Sequence, residues 1–349
     1  DFVLPHDDGY LTLTASEADE FVSLAFHAHD GTELRAAVRD YMDEYTRTAR
    51  VIDESELIER CNAWLLPEVS YLPSVLHRFE RITRHVPGAM IGYDILPMSE
   101  PANYRLIPGT DGNASEYFRL LATARSVICI SDHTRDAIIE RLRRDPALPI
   151  SVAHPGGDHI DCDAFSLDRS SSEGPVRFLR VGTLESRKMP REIVGAFERA
   201  FQEGVHSELI MIGRPSASDE SINEAIQNVV DRNVGVTWIP DASDRDVEEW
   251  VRRADAFLSF GVEGYGIPVL EAIRLGTPVI YGGIQPAAEL LAGYGTAPVE
   301  DLTVEGLASM FRLFSDRPRI AELQRGLDDE SVPTWQEFAD RVVAGVMQA

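Results

Sequence analysis

The sequence predicts an α/β protein built from two parallel-sheet domains, on three observations. From Val176 onward, short apolar runs closed by glycine alternate with stretches of helical periodicity, a pattern that right-handed crossovers turn into a parallel sheet with helices on both faces. At 349 residues the chain exceeds what one hydrophobic core usually serves, so a second domain and a ligand cleft between the two are expected. Hydrophobic residues make up 44% of the chain and charged ones 26%, which is the composition of a folded globular protein rather than a disordered one.

Taken in order, Ala63–Leu66, Ala89–Tyr93 and Ser126–Ile130 read as strands, with Arg119–Ala124 helical before the third and Asp132–Arg143 helical after it. Residues 1–165 form this first Rossmann-like domain, and Ser166–Gly174, rich in Ser, Asp and Glu, reads as the linker. The second domain, residues 175–330, opens with the strand Val176–Val181; Gly182 turns the chain toward a helix at Pro190–Ala200, whose proline suits a first turn. The unit repeats as strand Glu208–Gly213 and helix Asp219–Asp231, then strand Val236–Ile239 and helix Ser243–Ala254 with its N-cap serine. Strand Ala256–Phe260, helix Pro268–Leu275 and strand Pro278–Tyr281 follow. Ligands bind at the carboxyl ends of such strands, which collects Gly182–Lys188, Gly213-Arg214, Pro240-Asp241 and Gly261–Ile267 around one crevice.

A net charge of −25 without a dense basic stripe argues against a nucleic-acid partner. It also disfavours anionic lipid, leaving Arg141, Arg143 and Arg144 as the local patch able to touch a membrane surface. No apolar run approaches the roughly 20 residues needed to span a bilayer, and the start Asp1-Phe2-Val3-Leu4 has no signal-peptide pattern. The absent initiating Met points to residues upstream. Cys61, Cys129 and Cys162 are odd in number and scattered, fitting a reducing, cytoplasmic setting better than a disulfide framework.

Lys188 is the only lysine in the chain. An ammonium is a compact point charge suited to phosphate, and with Arg187 it follows a strand and precedes a helix, where backbone amides face an anion. The bland alternative is a solvated basic pair. Glu263-Gly-Tyr-Gly-Ile-Pro-Val-Leu-Glu271 carries two glycines that allow close backbone approach and a carboxylate at each end able to accept from sugar hydroxyls. The bland alternative there is a glycine-rich loop with Glu271 on a solvated helix face.

Val181-Gly-Thr-Leu-Glu-Ser-Arg-Lys188, then Ala254-Asp-Ala-Phe-Leu-Ser-Phe-Gly-Val-Glu263-Gly-Tyr-Gly-Ile-Pro-Val-Leu-Glu271-Ala, then Gly276-Thr-Pro-Val-Ile280 together resemble the family 4 retaining glycosyltransferases of the GT-B fold. The match covers about half the chain and extends through Ser131, Pro155-Gly-Gly-Asp158 and Trp335-Gln-Glu-Phe-Ala339. The resemblance implies two Rossmann-like domains facing each other across a cleft, with residues 331–349 as a closing helix that crosses back to the first. It also implies that Arg187 and Lys188 bind the donor diphosphate, Glu263 contacts the donor sugar, and Glu271 binds the ribose. Gly182, Thr183, Gly213, Arg214, Pro240, Gly264, Tyr265, Gly266 and Ile267 line the donor site on the same ground.

Chemistry of this kind retains anomeric configuration, needs no metal or further cofactor, and draws its rate from stabilising the departing phosphate charge. Three departures from the family are visible: Thr183 follows the glycine where many relatives carry Arg, so that Arg187 supplies that charge; Tyr93-Asp94-Ile-Leu-Pro97 stands where relatives often show His-Asp; and no glycine-rich loop follows a first strand, where the family lines its acceptor side. The second variant resembles polysaccharide mannosyltransferases, so Tyr93 and Asp94 are expected on the acceptor side. The expected donor is GDP-mannose, with a UDP-sugar as the alternative, and the acceptor is a glycan or lipid-linked saccharide at the inner face of a membrane. A non-catalytic glycosyltransferase-like partner and a nucleotide-sugar epimerase are the rival readings. His27 and His29 lack a completing ligand set, Asp161 and Asp163 fall beside the linker, and Trp238, Trp250 and Trp335 read as packing residues.

Overall fold

The computed structural model of the protein describes residues 2–6, 9–27, 31–45, 50–101, 111–160 and 174–349. His29, Asp161, Asp163 and all of the linker but Gly174 lie outside them. The chain divides into two compact units, Asp1–Trp64 with His77–Gly88, and Leu65–Leu76 with Ala89–Ala349.

The first unit holds an antiparallel sheet of β1 (Phe2–His6), β2 (Gly9–Leu13) and β3 (Val51–Ile52), in that order. Its core gathers Tyr10, Ile52, Leu57, Ile82 and Val86, with Trp64 edge-on to Tyr10 at 6.2 Å. None of the strands read from the sequence falls before Ala63. Gly9, Tyr10, Leu11 and Leu13 are all buried, so β2 lacks the alternation that betrays a half-exposed strand, and β3 is two residues long.

The second unit carries two sheets. The smaller has the order β4 (Trp64–Leu66), β5 (Gly88–Gly92), β6 (Ser126–Cys129) and β7 (Ile150–Val152), and β5, β6 and β7 pair in parallel. The larger uses β8 (Val176–Val181), β9 (Ser207–Ile212), β10 (Val236–Ile239), β11 (Ala256–Val262), β12 (Val279–Ile284) and β13 (Thr296–Pro298). Their order is β10-β9-β8-β11-β12-β13, parallel throughout. This is the doubly wound order of dinucleotide-binding domains, whose switch point falls between β8 and β11. Two apolar clusters cover the faces of this sheet, one around Phe178, Phe197 and Phe311, the other around Leu179, Leu270 and Tyr265.

Several expectations are corrected. The helix after β6 runs Asp132–Arg141 and stops short of Arg143, which sits at φ 53°, outside helical space. Arg144 does not join a surface patch: it is buried and donates to the carbonyls of Leu121 at 2.9 Å and Pro149 at 3.0 Å. Trp335 packs edge-on against Phe338 at 5.4 Å, as a packing residue should, while standing 38% exposed. It opens the last helix, Trp335–Val346, which Thr334 and Glu337 start with a capping box. That helix lies against the smaller sheet, where Ser126 Oγ donates to Gly345 O at 2.9 Å and the missing Gly345 side chain makes room for Ile128. Among the described residues no helix is long and apolar enough to cross a membrane.

Candidate functional site

Close packing of glycines builds the crevice floor. Gly182 closes β8 at φ +127°, Gly213 closes β9 at φ +150°, and Gly261 near the end of β11 has φ +97°. A Cβ on Gly213 would meet Gly182 O at 2.0 Å, and one on Gly261 would meet Arg187 O at 1.8 Å. The loop after β8 is therefore wedged between its neighbours. It ends in a 3-10 turn, Ser186–Lys188, and hands over to the helix Pro190–Gln202 through Met189 in the left-handed region.

This wedge delivers Arg187 and Lys188 to the end of β11. Lys188 Nζ lies 2.8 Å from Glu263 Oε1 and Arg187 Nη1 lies 2.8 Å from Glu263 Oε2, so the carboxylate bridges both cations. Arg187 also donates to Val262 O at 2.6 Å and pairs through Nε with Glu185 at 2.8 Å. Burial works against charge on Glu263, but Lys188 and Arg187 overcome it and hold the carboxyl below its ordinary range. Thus the motif residues Arg187, Lys188 and Glu263 meet at the switch point.

The other expected donor-side positions surround them. Arg214 is exposed, its carbonyl accepting from Leu184 N at 3.0 Å, and Pro240 is exposed at the end of β10. Gly264 is buried, and its carbonyl accepts from Ser131 Oγ at 2.8 Å. Ser131 is also the N-cap of Asp132–Arg141, taking the Thr134 N–H at 3.0 Å. Tyr265 is buried and points away into the core, stacked on His154 at 5.9 Å and donating to Pro155 O at 3.1 Å. Its ring is thereby occupied, and the backbone is what it can offer a ligand. Gly266, at φ +106°, caps the helix Ile267–Arg274 on which Glu271 rides.

Glu271 is engaged by a residue the sequence reading missed. His159 Nε2 lies 3.0 Å from Glu271 Oε1, while His159 Nδ1 is 3.2 Å from Trp335 Nε1. Indole N–H only donates, so Nδ1 accepts and Nε2 carries the proton that Glu271 receives. Trp335 N in turn donates to Asp158 at 2.7 Å. A lone histidine beside glycines carries no sequence signal of its own; the nearby Pro155-Gly-Gly-Asp158 was the available pointer.

Tyr93 and Asp94 follow β5. Tyr93 OH donates to Pro67 O at 2.8 Å, and Asp94 Oδ1 takes the Leu96 N–H at 2.9 Å. Asp94 packs so close to Gly264 that a Cβ there would lie 2.9 Å from its own Cβ. Burial raises the Asp94 carboxyl above its ordinary value, against the help of the Leu96 amide and the Arg187 charge. It borders a cavity of about 80 Å³ shared with His133, Arg141, Val262, Gly264 and Ile284.

A doubly wound domain joined to a second parallel sheet defines the GT-B class of fold, and solved structures agree. A trehalose-phosphate synthase (UDP-forming) from Burkholderia vietnamiensis superposes with a TM-score of 0.62 at 13% identity, covering 100% of this chain and 91% of that one. HepE of Anabaena, solved in complex with UDP, gives 0.60 at 15% identity over 83% of this chain and 82% of that one. Residues 166–317 match the family model described as glycosyl transferases group 1. The serotype-specific mannosyltransferase WbdA of Escherichia coli is 29% identical over 222 residues, 58% of this chain and 27% of its own length. The matched stretch is thus about a quarter of that relative.

Proposed function

We propose that the chain is a retaining, metal-independent glycosyltransferase that moves mannose from GDP-mannose to a glycan or lipid-linked saccharide. The observation that carries this reading is the pair of cations bridged by Glu263 at the β8/β11 switch point. Arg187 and Lys188 bind the donor diphosphate and stabilise the charge that develops as it leaves, a contribution made where it lowers the barrier rather than only tightening binding. Glu263, already ordered by both cations, accepts from donor sugar hydroxyls. Glu271, held by His159, takes the ribose. Tyr93 and Asp94 border the acceptor side. The likeness to mannosyltransferases supports mannose over other hexoses.

The test is a transfer assay with GDP-mannose and with UDP-glucose on mannose-terminated lipid-linked oligosaccharides, run with and without EDTA. Expected are mannosyl transfer from GDP-mannose that survives EDTA, a product with the donor's anomeric configuration by NMR, and loss of transfer in Lys188→Ala and Glu263→Gln. Full transfer by both variants sinks the site assignment. Donor binding without transfer to any acceptor overturns the enzymatic reading in favour of a non-catalytic subunit.

A further inference from the structure

Beneath the phosphate-facing loop sits a cation that sequence reading passed over. Arg180, on β8, is 2% exposed, and among the described residues no carboxylate lies within ion-pairing distance of it. Its guanidinium instead grips two consecutive carbonyls of the loop: Nη1 donates to Gly182 O and Nη2 to Thr183 O, the latter at 2.8 Å. Burial lowers its pKa to about 10, against the pull of Glu263 and Glu185, so it is charged at neutral pH.

The peptide geometry gives this grip a consequence. In a trans peptide the C=O and the following N–H point in opposite directions. Fixing Gly182 O toward Arg180 therefore aims the Thr183 N–H away from it. The neighbouring amides are already spent: Gly182 N on Ile212 O at 2.8 Å, Leu184 N on Arg214 O at 3.0 Å, and Glu185 N on Thr183 O at 2.8 Å. The Thr183 N–H has no acceptor within the protein among the described residues. Lys188 Nζ stands beside Gly182, 3.3 Å from where a Gly182 side chain would begin.

The charge balance points the same way. Arg180, Arg187 and Lys188 face Glu185 and Glu263, with the raised Asp94 nearby. Without Arg180 two cations would face two carboxylates, or three when Asp94 is ionised, a poor welcome for a diphosphate.

We propose that Arg180 is the positioning residue of the donor-diphosphate site: it turns the Gly182-Thr183 peptide so that the Thr183 amide binds a phosphate oxygen, and it supplies from below the positive charge that Thr183 itself does not carry. The inference rests on the crevice binding a nucleoside diphosphate, and the experiment separates the two ideas. Calorimetry would measure GDP, GMP, UDP and UMP on the wild type, Arg180→Met and Arg180→Lys.

In Arg180→Met we expect the diphosphate to bind roughly tenfold or more weakly, by the worth of charge-assisted contacts, with the monophosphate of the same base changed far less. Arg180→Lys keeps the charge without the two-carbonyl grip and is expected to fall between. A merely structural role lowers the melting temperature and leaves the diphosphate-to-monophosphate ratio intact, and that result overturns the proposal. The wild type gives a reading independent of variant folding: with ¹⁵N-threonine labelling, the Thr183 amide resonance shifts strongly on GDP or UDP addition. A stationary Thr183 resonance in protein that binds the nucleotide also overturns it, whereas wild type that binds neither nucleotide sinks the donor-site reading first.

Discussion

Gly261→Ala is the sharpest probe of the site's construction. Gly261 has φ +97°, so any L side chain meets backbone strain of about 1–2 kcal/mol. The new methyl would also lie 1.8 Å from Arg187 O, 2.8 Å from Arg187 C and 3.1 Å from Lys188 Cα. None of these is the end of a flexible side chain, so the loop after β8 must move, at roughly the 1–3 kcal/mol typical of overpacking. Together these cost about 2–5 kcal/mol, which at ~2–4 °C per kcal/mol lowers the melting temperature by roughly 4–20 °C. The displaced groups are the ones that present Arg187 and Lys188, so GDP affinity is expected to fall with stability. Gly276→Ala is the matched control: its φ is +72° but nothing lies within 4 Å of its Cβ position, so it keeps the strain and loses the clash. Differential scanning fluorimetry and GDP calorimetry on both variants decide the matter. A Gly261→Ala protein no less stable than Gly276→Ala and with wild-type GDP affinity would refute the wedge.

Three further outcomes are expected. Ser131→Ala removes a helix cap and the shorter of two contacts to the Gly264 carbonyl, leaving Thr134 Oγ1 at 3.4 Å, and it is expected to destabilise by about 1–2 kcal/mol in urea titrations. Asp94 has a carboxyl raised by burial, so its contribution is fully present below the unfolded value near 4 and is lost as pH rises through the folded value; Asp94→Asn should gain stability relative to wild type toward neutral pH, read from melting temperatures between pH 3.5 and 7.5. Glu263 runs oppositely: its lowered carboxyl stabilises above the ordinary glutamate value and loses that contribution as pH falls through the folded one, so Glu263→Gln should flatten the acid limb of the same profile.

The legibility of the sequence varied with local signal. From Val176 to Tyr281 each strand is closed by glycine, proline or a helix cap, and the observed bounds differ from those read in advance by at most three residues, as where β12 runs on to Ile284. Three-residue strands such as β7 and β13 offer too little periodicity to register, and β13 falls in the unassigned stretch between the strand ending at Tyr281 and the closing helix. The meeting of Lys188 with Glu263 was legible because a single lysine and a spaced glutamate pair stand out from an arginine-rich background. Arg180 was not, because an arginine in Val176-Arg-Phe-Leu-Arg-Val181 reads as one more half-exposed strand position; only the fold shows that its side chain turns up under the loop. Arg144 misled for the converse reason, a buried cation mistaken for a surface one.

Lys188 has one more consequence. As the sole lysine, partly open to solvent with 22% of its side chain exposed, it is the only side-chain primary amine among these 349 residues. Acylating reagents, reductive methylation and a lysine-specific protease are thus all directed to one side chain, in the heart of the crevice. A mass increment assigned to Lys188 itself, apart from that on the chain's α-amine, or a single cut between Lys188 and Met189, reports whether the crevice is filled, with no radiolabel and no acceptor required. The scarcity of lysine leaves the chain with a built-in occupancy gauge.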